Sequence, residues 1–374
     1  MFRILVADKL GQAGLRRLEE ESDVTVDVKT GLPKAKLRSL IPVYDALLVR
    51  SSTQVDADLL SVAPKLRVIG RAGMGVDNID VAAATARGIL VMNTPGVNSI
   101  ATAEHTILLM LAAARHTAEA HQSVRQGEWR RSDFTGVQLY RKVLGLIGFG
   151  RIARHVARRA RTFDMEIIAF DPYVSEEVGQ EVGITLVDLE ELLAQADVIS
   201  LHASLSAETL HILNTETLAK TKDGVIIINP SRGKLVDEQA LADALASGKV
   251  RAAAVDVYDE EPPGTDHPLV GLANVLHTPH LGASTEEAQR DVSIQIVEQV
   301  WMRCATRISG TASTCPSQPG RNTPRFCRTC NSGRRSVHCS FTWLMHRSEQ
   351  SNSSLQVIRQ SNSRNLLRPV CSRG

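Results

Sequence analysis

Three stretches in the second half of the chain each end an apolar run on a side chain that can do chemistry. Val225-Ile226-Ile227-Ile228-Asn229-Pro230-Ser231-Arg232 puts a guanidinium just past a buried strand. Its planar fork matches a carboxylate. Val255-Asp256-Val257-Tyr258-Asp259-Glu260-Glu261 ends a second run in acids, with Asp256 inside the apolar strand. A buried carboxylate there needs a partner. His277-Thr278-Pro279-His280 ends a third run. Imidazole titrates near neutral pH, so His280 is the best candidate acid/base, and a carboxylate such as Glu261 would orient its ring. Each group also has a plain reading: a surface cation, a solvated acidic turn, a structural histidine. The order Arg, acid, His at three successive strand ends favours proton transfer beside a gripped carboxylate. His105, His116, His121, His155, His202 and His211 read as structural, His277 as a strand residue and Lys234 as a surface cation.

The elements that must position these groups are organised around 142–171. Val143–Ile147 reads as a buried strand and is followed at once by Gly148-Phe149-Gly150, with Ala153 in a third small-residue place. Ile152, Val156, Ala160 and Phe163 keep helical spacing, and a second apolar strand over 167–170 ends in Asp171. Strand, glycine turn, helix, strand and acid form the context that a dinucleotide fingerprint requires. Gly148 allows the tight turn. Gly150 lets the backbone approach a pyrophosphate, to which the helix N-terminus offers free N–H groups. Asp171 can accept bonds from a ribose 2′-OH and would repel a 2′-phosphate, so NAD is expected rather than NADP.

Upstream, strands at 3–8, Val24–Val28, Ala46–Val49, 67–70 and 89–92 alternate with helices at 13–20, Lys34–Leu40, 57–63 and 79–87. One long helix is expected over 98–121. Beyond the fingerprint, strands at Val198–Leu201, 225–228, 252–257 and Val275–His277 alternate with helices, and a last helix covers 285–300. Such alternation with short turns predicts an α/β chain of two doubly wound parallel sheets. The expected organisation is a substrate domain (first part) over 1–97, a nucleotide domain over 98–284, a return helix over 285–301 and a tail over 302–374. Ligands of such sheets lie beyond the carboxyl ends of strands, where Arg50, Gly73, Arg232, Asp256 and His280 all sit.

The net charge of +2 over 374 residues hides an asymmetry. From Trp301 onward there are 12 arginines, no lysine and one acid, which leaves the first 300 residues near −9. That acidic body gives no reason to expect nucleic-acid binding. All six cysteines lie from Cys304 onward, so the body fits a cytoplasmic protein without disulfides. The N-terminal apolar stretch is too short for a signal peptide, and no run is long enough to span a membrane. In the tail, Cys327 and Cys330 with His338 and Cys339 have imperfect zinc spacing, and no metal is expected. The tail reads as a disordered extension, and its switch to arginine and cysteine suggests a shifted reading frame.

Taken together, Leu48-Val49-Arg50-Ser51, Gly70-Arg71-Ala72-Gly73-Met74-Gly75-Val76-Asp77-Asn78-Ile79-Asp80, Asn93-Thr94-Pro95, Gly148-Phe149-Gly150-Arg151-Ile152, Asn229-Pro230-Ser231-Arg232-Gly233, Glu261-Pro262 and Thr278-Pro279-His280-Leu281-Gly282-Ala283-Ser284 resemble the D-2-hydroxyacid dehydrogenase family, and within it the phosphoglycerate dehydrogenase branch. The likeness runs over 46–295. It implies a Rossmann-type NAD domain inserted in a flavodoxin-like substrate domain. It also implies oxidation of D-3-phosphoglycerate in serine biosynthesis. On that resemblance His280 takes the hydroxyl proton, Glu261 bonds His280, and Arg232 grips the substrate carboxylate. Arg151 and Ile152 hold the pyrophosphate, and Asp256 bonds the nicotinamide carboxamide. Ala203, Pro230, Ser231, Gly282 and Ala283 complete the cofactor side. Arg50, Ser51, Arg71, Gly73 and Asn98 form the substrate side, and Arg131 of the partner subunit could add a cation for a phosphate. A homodimer or higher homo-oligomer through the nucleotide domain is also implied. Two alternatives stay open: a glyoxylate, hydroxypyruvate or other 2-keto acid reductase of the same family, and an NAD-sensing interaction module. The chain departs from the family pattern at His202-Ala203-Ser204, where His-x-Pro is usual.

Overall fold

A computed structural model describes residues 1–305; the expectations for the tail, including the Cys327–Cys339 cluster, lie outside the described residues. Strands β1 (Phe2–Val6), β2 (Val24–Val28), β3 (Ala46–Val49), β4 (Val68–Arg71) and β5 (Leu90–Asn93) pair in the order β2-β1-β3-β4-β5. Every pairing is parallel, with Ile4 in register against Val26 on one side and Ala46 on the other. This is the flavodoxin-type order. Parallel strands are buried on both faces, which is why they read as unbroken apolar runs. Ala46, Leu47, Leu48 and Val49 are each at most 1% exposed.

The second sheet is formed by β6 (Val143–Ile147), β7 (Glu166–Phe170), β8 (Thr185–Leu186), β9 (Val198–Leu201), β10 (Val225–Asn229), β11 (Val250–Val255) and β12 (Val275–His277), in the order β12-β11-β10-β9-β6-β7-β8. This is the dinucleotide-binding order, extended by one strand. Both faces are closed by apolar side chains, with Leu192, Leu241 and Leu245 on one and Leu109, Val156 and Ala157 on the other. Each fully buried Ile or Leu contributes about 1.5–3 kcal/mol. In each sheet the strand order reverses at one place, between β1 and β3 and between β6 and β9. Those two switch points open the crevices where ligands of doubly wound sheets lie.

Four expectations need correction. The helix expected over 98–121 is two helices, Ser99–Arg115 and Thr117–Arg125, broken at His116 (φ 51, ψ 40). The reason is tertiary: the Ala114 carbonyl accepts from Val137 N–H at 2.9 Å, and the left-handed His116 turns the chain away. The strand expected over 252–257 is Val250–Val255, so Asp256 follows the strand rather than lying within it, yet it is fully buried. The closing helix is Glu286–Ala305, longer than expected, because Val300 and Cys304 still pack among Ile4, Val6, Leu48 and Val68. The helix Glu176–Glu181 and the short β8 were not expected at all. Among the described residues no helix is long and apolar enough to cross a membrane, and no group of three or more His, Cys, Asp or Glu side chains could hold a metal ion.

Candidate active site

At the second switch point β6 runs into Gly148, whose φ is 87. A Cβ there would lie 2.7 Å from the backbone of His202 and Ala203 at the end of β9, so only glycine fits. Gly150 precedes the helix Arg151–Ala160 with no side-chain cap, and a Cβ on it would meet nothing within 4 Å. No side chain caps that helix and the space beside Gly150 is open, so the chain leaves room for a pyrophosphate at the helix start. Asp171, after β7, accepts Phe149 N–H at 2.8 Å and Tyr173 N–H at 2.9 Å, which fixes its carboxylate with lone pairs left over for a diol. These features fit a dinucleotide. Arg151 sends Nη1 to the Pro95 carbonyl, 3.0 Å away, on the crossing between the two sheets. At 202–204, where proline is missing, the turn is held by side chains instead. Thr209 Oγ1 donates to Ser204 O at 2.7 Å and accepts Ser206 N–H at 2.8 Å, and Ser231 Oγ donates to Ala203 O at 2.9 Å. Desolvation pushes the His202 imidazole down to about 3, and Ser200 Oγ lies 2.9 Å from its Nε2.

His280 stands in the left-handed region (φ 54), pinned by its N–H to Asp256 O at 2.8 Å. Its Nδ1 lies 2.8 Å from Glu261 Oε2. That bond puts the Nδ1 proton toward the carboxylate and leaves Nε2 facing the cleft as a base, a tautomer assigned from the bonding. Burial pushes the Glu261 carboxyl up, but the His280 bond and charge and the Tyr258 N–H outweigh it, so its pKa falls below the ordinary 4.5. Asp256 is the anchor of the loop. Its Oδ1 accepts from Thr278 Oγ1 (2.6 Å), Leu281 N–H (2.7 Å) and His105 Nε2 (3.1 Å), and its Oδ2 from Gly282 N–H (2.8 Å). Burial alone would raise its pKa, but these donors hold it below 3.8.

Across the cleft, Arg232 reaches from the end of β10 to the first sheet. Its Nε donates to Asp77 Oδ2 at 2.8 Å and its Nη1 to Ser231 O at 2.7 Å. Gly73 and Gly75 form the floor, since a Cβ on Gly73 would overlap Arg71 Nη1 and one on Gly75 would overlap Arg232 Nη2. Burial, followed by the charge of Arg232, pushes the Arg71 guanidinium down to about 10 against the raising effect of Asp77; it stays charged at neutral pH. Arg71 Nε is buried without a partner. At the first switch point Asp8 accepts Arg50 N–H (2.6 Å) and Thr53 N–H (3.1 Å), while Asn78 Nδ2 donates to Arg50 O (2.7 Å) and Thr53 O (2.6 Å).

One cleft of about 1200 Å³ gathers Arg50, Ser51, Arg71, Gly73, Asn98, Ile152, Pro230, Ser231, Arg232, Asp256, Glu261, His280, Gly282 and Ala283. Gly148, Gly150, Arg151, Asp171 and Ala203 are not in its lining and group instead around the end of β6. Lys234, expected on the surface, is exposed but lines the cleft wall.

Comparison with known proteins agrees with this geometry. The family profile described as "D-isomer specific 2-hydroxyacid dehydrogenase, NAD binding domain" matches residues 107–282. The TT0316 protein from Thermus thermophilus superposes with a TM-score of 0.76 at 37% identity, over 82% of this chain and 97% of that one. A glyoxylate reductase from Paecilomyes thermophila does so with a TM-score of 0.74 at 34% identity, over 80% of this chain and 94% of that one. This chain belongs to the D-isomer-specific 2-hydroxyacid dehydrogenase family. It carries the family's NAD-binding domain. A D-3-phosphoglycerate dehydrogenase of Archaeoglobus fulgidus is 47% identical over 80% of this chain, but over only 56% of its own length. The chain thus spans a little over half the length of the curated relatives it matches.

No contact was assigned from sequence to Asp77, Asn78 or Thr278, which lie within the family motifs and line the cleft, nor to Asp8 and His105, which hold its loops from outside the lining, His105 being structural as expected. Asp8 had a usable signal, since it follows β1 at a switch point. His105 had none, because its partner Asp256 is 151 residues away.

Proposed function

We propose that this chain oxidises D-3-phosphoglycerate with NAD to 3-phosphohydroxypyruvate, the first step of L-serine biosynthesis, in the cytoplasm. The observation that carries the reading is the clustering of Arg50, Arg71 and Arg232 on one cleft, close enough that Arg232 and Arg50 both depress Arg71. Together Arg50, Arg71 and Arg232 outnumber the nearby acids Asp77 and Asp8 by one cation, while Asp256, Asp259 and Glu261 line another part of the cleft; that local cluster suits a substrate with both a carboxylate and a phosphate. Arg131 of the partner subunit would add to it. Arg232 holds the substrate carboxylate through N–H groups not used by Asp77 and Ser231. His280 Nε2 receives the hydroxyl proton, and Glu261 stabilises the imidazolium that results. NAD, once bound, supplies the acceptor for the hydride leaving the same carbon. Gly148, Gly150, Arg151, Ile152 and Asp171 hold its phosphates and ribose, and Ala203, Pro230, Ser231, Asp256, Gly282 and Ala283 its nicotinamide half. Ser51, Gly73 and Asn98 complete the substrate side, with 98–284 as the nucleotide domain and 1–97 with the return helix from 285 as the substrate domain.

Purified protein given NAD and 3-phosphoglycerate should generate NADH absorbance. The likeness to a glyoxylate reductase favours one second reading, a reductase of an unphosphorylated 2-keto acid. Turnover of glyoxylate or hydroxypyruvate with NADH, and none of 3-phosphoglycerate, would replace the first reading by the second. A homodimer or higher homo-oligomer is supported by apolar side chains left exposed on Ser99–Arg115 and beyond it: Ile100 (52%), Leu108 (58%) and Trp129 (80%). Light scattering at a single-chain mass would exclude it.

A further inference from the structure

Behind the His280–Glu261 pair lies a polar cluster that the proposed reaction does not use. Glu238 starts the helix Glu238–Ala246, and its Oε1 accepts Asp259 N–H at 3.1 Å. Its Oε2 lies 2.8 Å from His267 Nε2. His267 Nδ1 accepts Leu269 N–H at 3.2 Å, so the ring proton is on Nε2 and is donated to Glu238. The Tyr258 ring, 8% exposed, stands edge-on to His267 (5.5 Å, 88°) and nearly parallel to His277 (6.2 Å, 13°). Its hydroxyl lies 3.0 Å from His277 Nδ1. Burial, with the charges of Asp256, Glu238 and Glu261, pushes the phenol up to about 12, so it remains a donor.

Both ends of this cluster bear on the candidate catalytic groups. Tyr258 N–H reaches Glu261 Oε1 at 3.3 Å. On the other side Gly233, next to Arg232, packs so tightly on the Tyr258–Asp259 peptide that a Cβ would overlap it. Burying a carboxylate and two imidazoles contributes little net stability compared with apolar packing. In the Glu238–His267 pair both carboxylate oxygens and both ring nitrogens are bonded, and such a pair fixes one backbone geometry, although His277 Nε2 is buried without a partner.

We propose that Glu238, His267 and Tyr258 are positioning residues, which clamp the 258–259 peptide so that Glu261 meets His280 and the Arg232 turn keeps its place. The proposal rests on the reaction above only through the identity of the acid–base pair. Rates are measured with whichever 2-hydroxy or 2-keto acid the wild type turns over. Glu238→Ala should lower kcat about tenfold, with substrate KM and NAD Kd within about twofold, because the loss is one of alignment. Glu238→Gln keeps an oxygen for Asp259 N–H but turns its NH₂ toward the His267 Nε2–H, so its kcat should lie between those of Glu238→Ala and wild type. Tyr258→Phe, which removes one oxygen and threatens folding least, should lower kcat about threefold at unchanged KM. A lower Tm with unchanged kcat in Glu238→Ala, or in Tyr258→Phe should Glu238→Ala not fold, would reduce the cluster to scaffolding and overturn the proposal. If the wild type turns over none of these acids, the proposed reaction fails by itself. The clamp is then read by proton NMR of the downfield His280 Nδ1–H, assigned by its loss in His280→Asn. Glu238→Ala should broaden that signal away, and its persistence would overturn the clamp.

Discussion

Two hydrogen-bonded pairs face each other across the cleft, both 2.8 Å long and both partly exposed, and they are built in opposite ways. His280–Glu261 joins residues 19 apart on neighbouring loops of one sheet. Arg232–Asp77 joins residues 155 apart on two different sheets. The first is held by local backbone: His280 by the carbonyl of Asp256, Glu261 by the N–H of Tyr258. The second exists only while the two sheets face each other at this distance. A proton-transfer pair gains from being fixed before substrate arrives, whereas an anion-gripping cation needs a partner it can share.

The contrast can be broken by substitution, starting with the largest effect. His280→Asn should lower kcat about 10²–10⁴-fold, the usual worth of a general acid/base, with NAD affinity by fluorescence titration unchanged. A fall in NAD affinity of the same size would assign His280 to binding instead. Arg232→Ala should cost about 10²–10³-fold in kcat/KM, mostly as a raised KM, as truncation of a charged hydrogen-bonding partner does. A pure kcat effect would show that the guanidinium acts only on the reacting oxygen. Glu261→Gln should lower kcat about 10- to 100-fold, and it also carries a pH signature. Glu261's pKa in the fold lies below 4.5, so its ionised form stabilises the fold above that value, and the contribution is lost as pH falls through the lower one. Thermal melts should therefore show wild type losing Tm relative to Glu261→Gln between about pH 5 and 3. The smallest effect belongs to Asp77→Asn. A half-exposed pair is worth little, so KM should move about 1.5- to fivefold, and a larger rise would mean that Asp77 is indispensable to the Arg232 fork.

Much of this was written in the sequence because strands buried on both faces are continuous apolar runs, and the groups at their carboxyl ends are brought together by topology alone. Arg232, Asp256 and His280 belong to that class, as do Arg50 and Gly73. The glycine turn at 148 was legible because it leaves no room for a side chain against Ala203. Side chains that reach across the fold were not legible: Asp77 to Arg232, His105 to Asp256 and Asp8 to the backbone of Arg50 and Thr53 have no periodicity to betray them. The break at His116 was missed for a related reason. Apolar spacing continues through it, and only the distant claim of Val137 on the Ala114 carbonyl ends the helix. The closing helix outran its expected end because burial of Cys304 counts for more than the change in composition after Val300.

Asp256 carries a last implication, for how such a chain can drift over generations. One carboxylate serves four donors from three places in the sequence: His105, Thr278 and the backbone of Leu281 and Gly282. Asparagine, its nearest relative in shape, would turn an amide NH₂ toward at least one N–H and leave it unsatisfied. No single compensating change elsewhere can restore all four bonds at once. In a library covering every residue type at each position and selected for growth, codon 256 should therefore admit almost nothing but aspartate. Codon 259, three residues on and at the surface, should tolerate most substitutions. The same acidic side chain is thus disposable at one turn of the loop and frozen at the other.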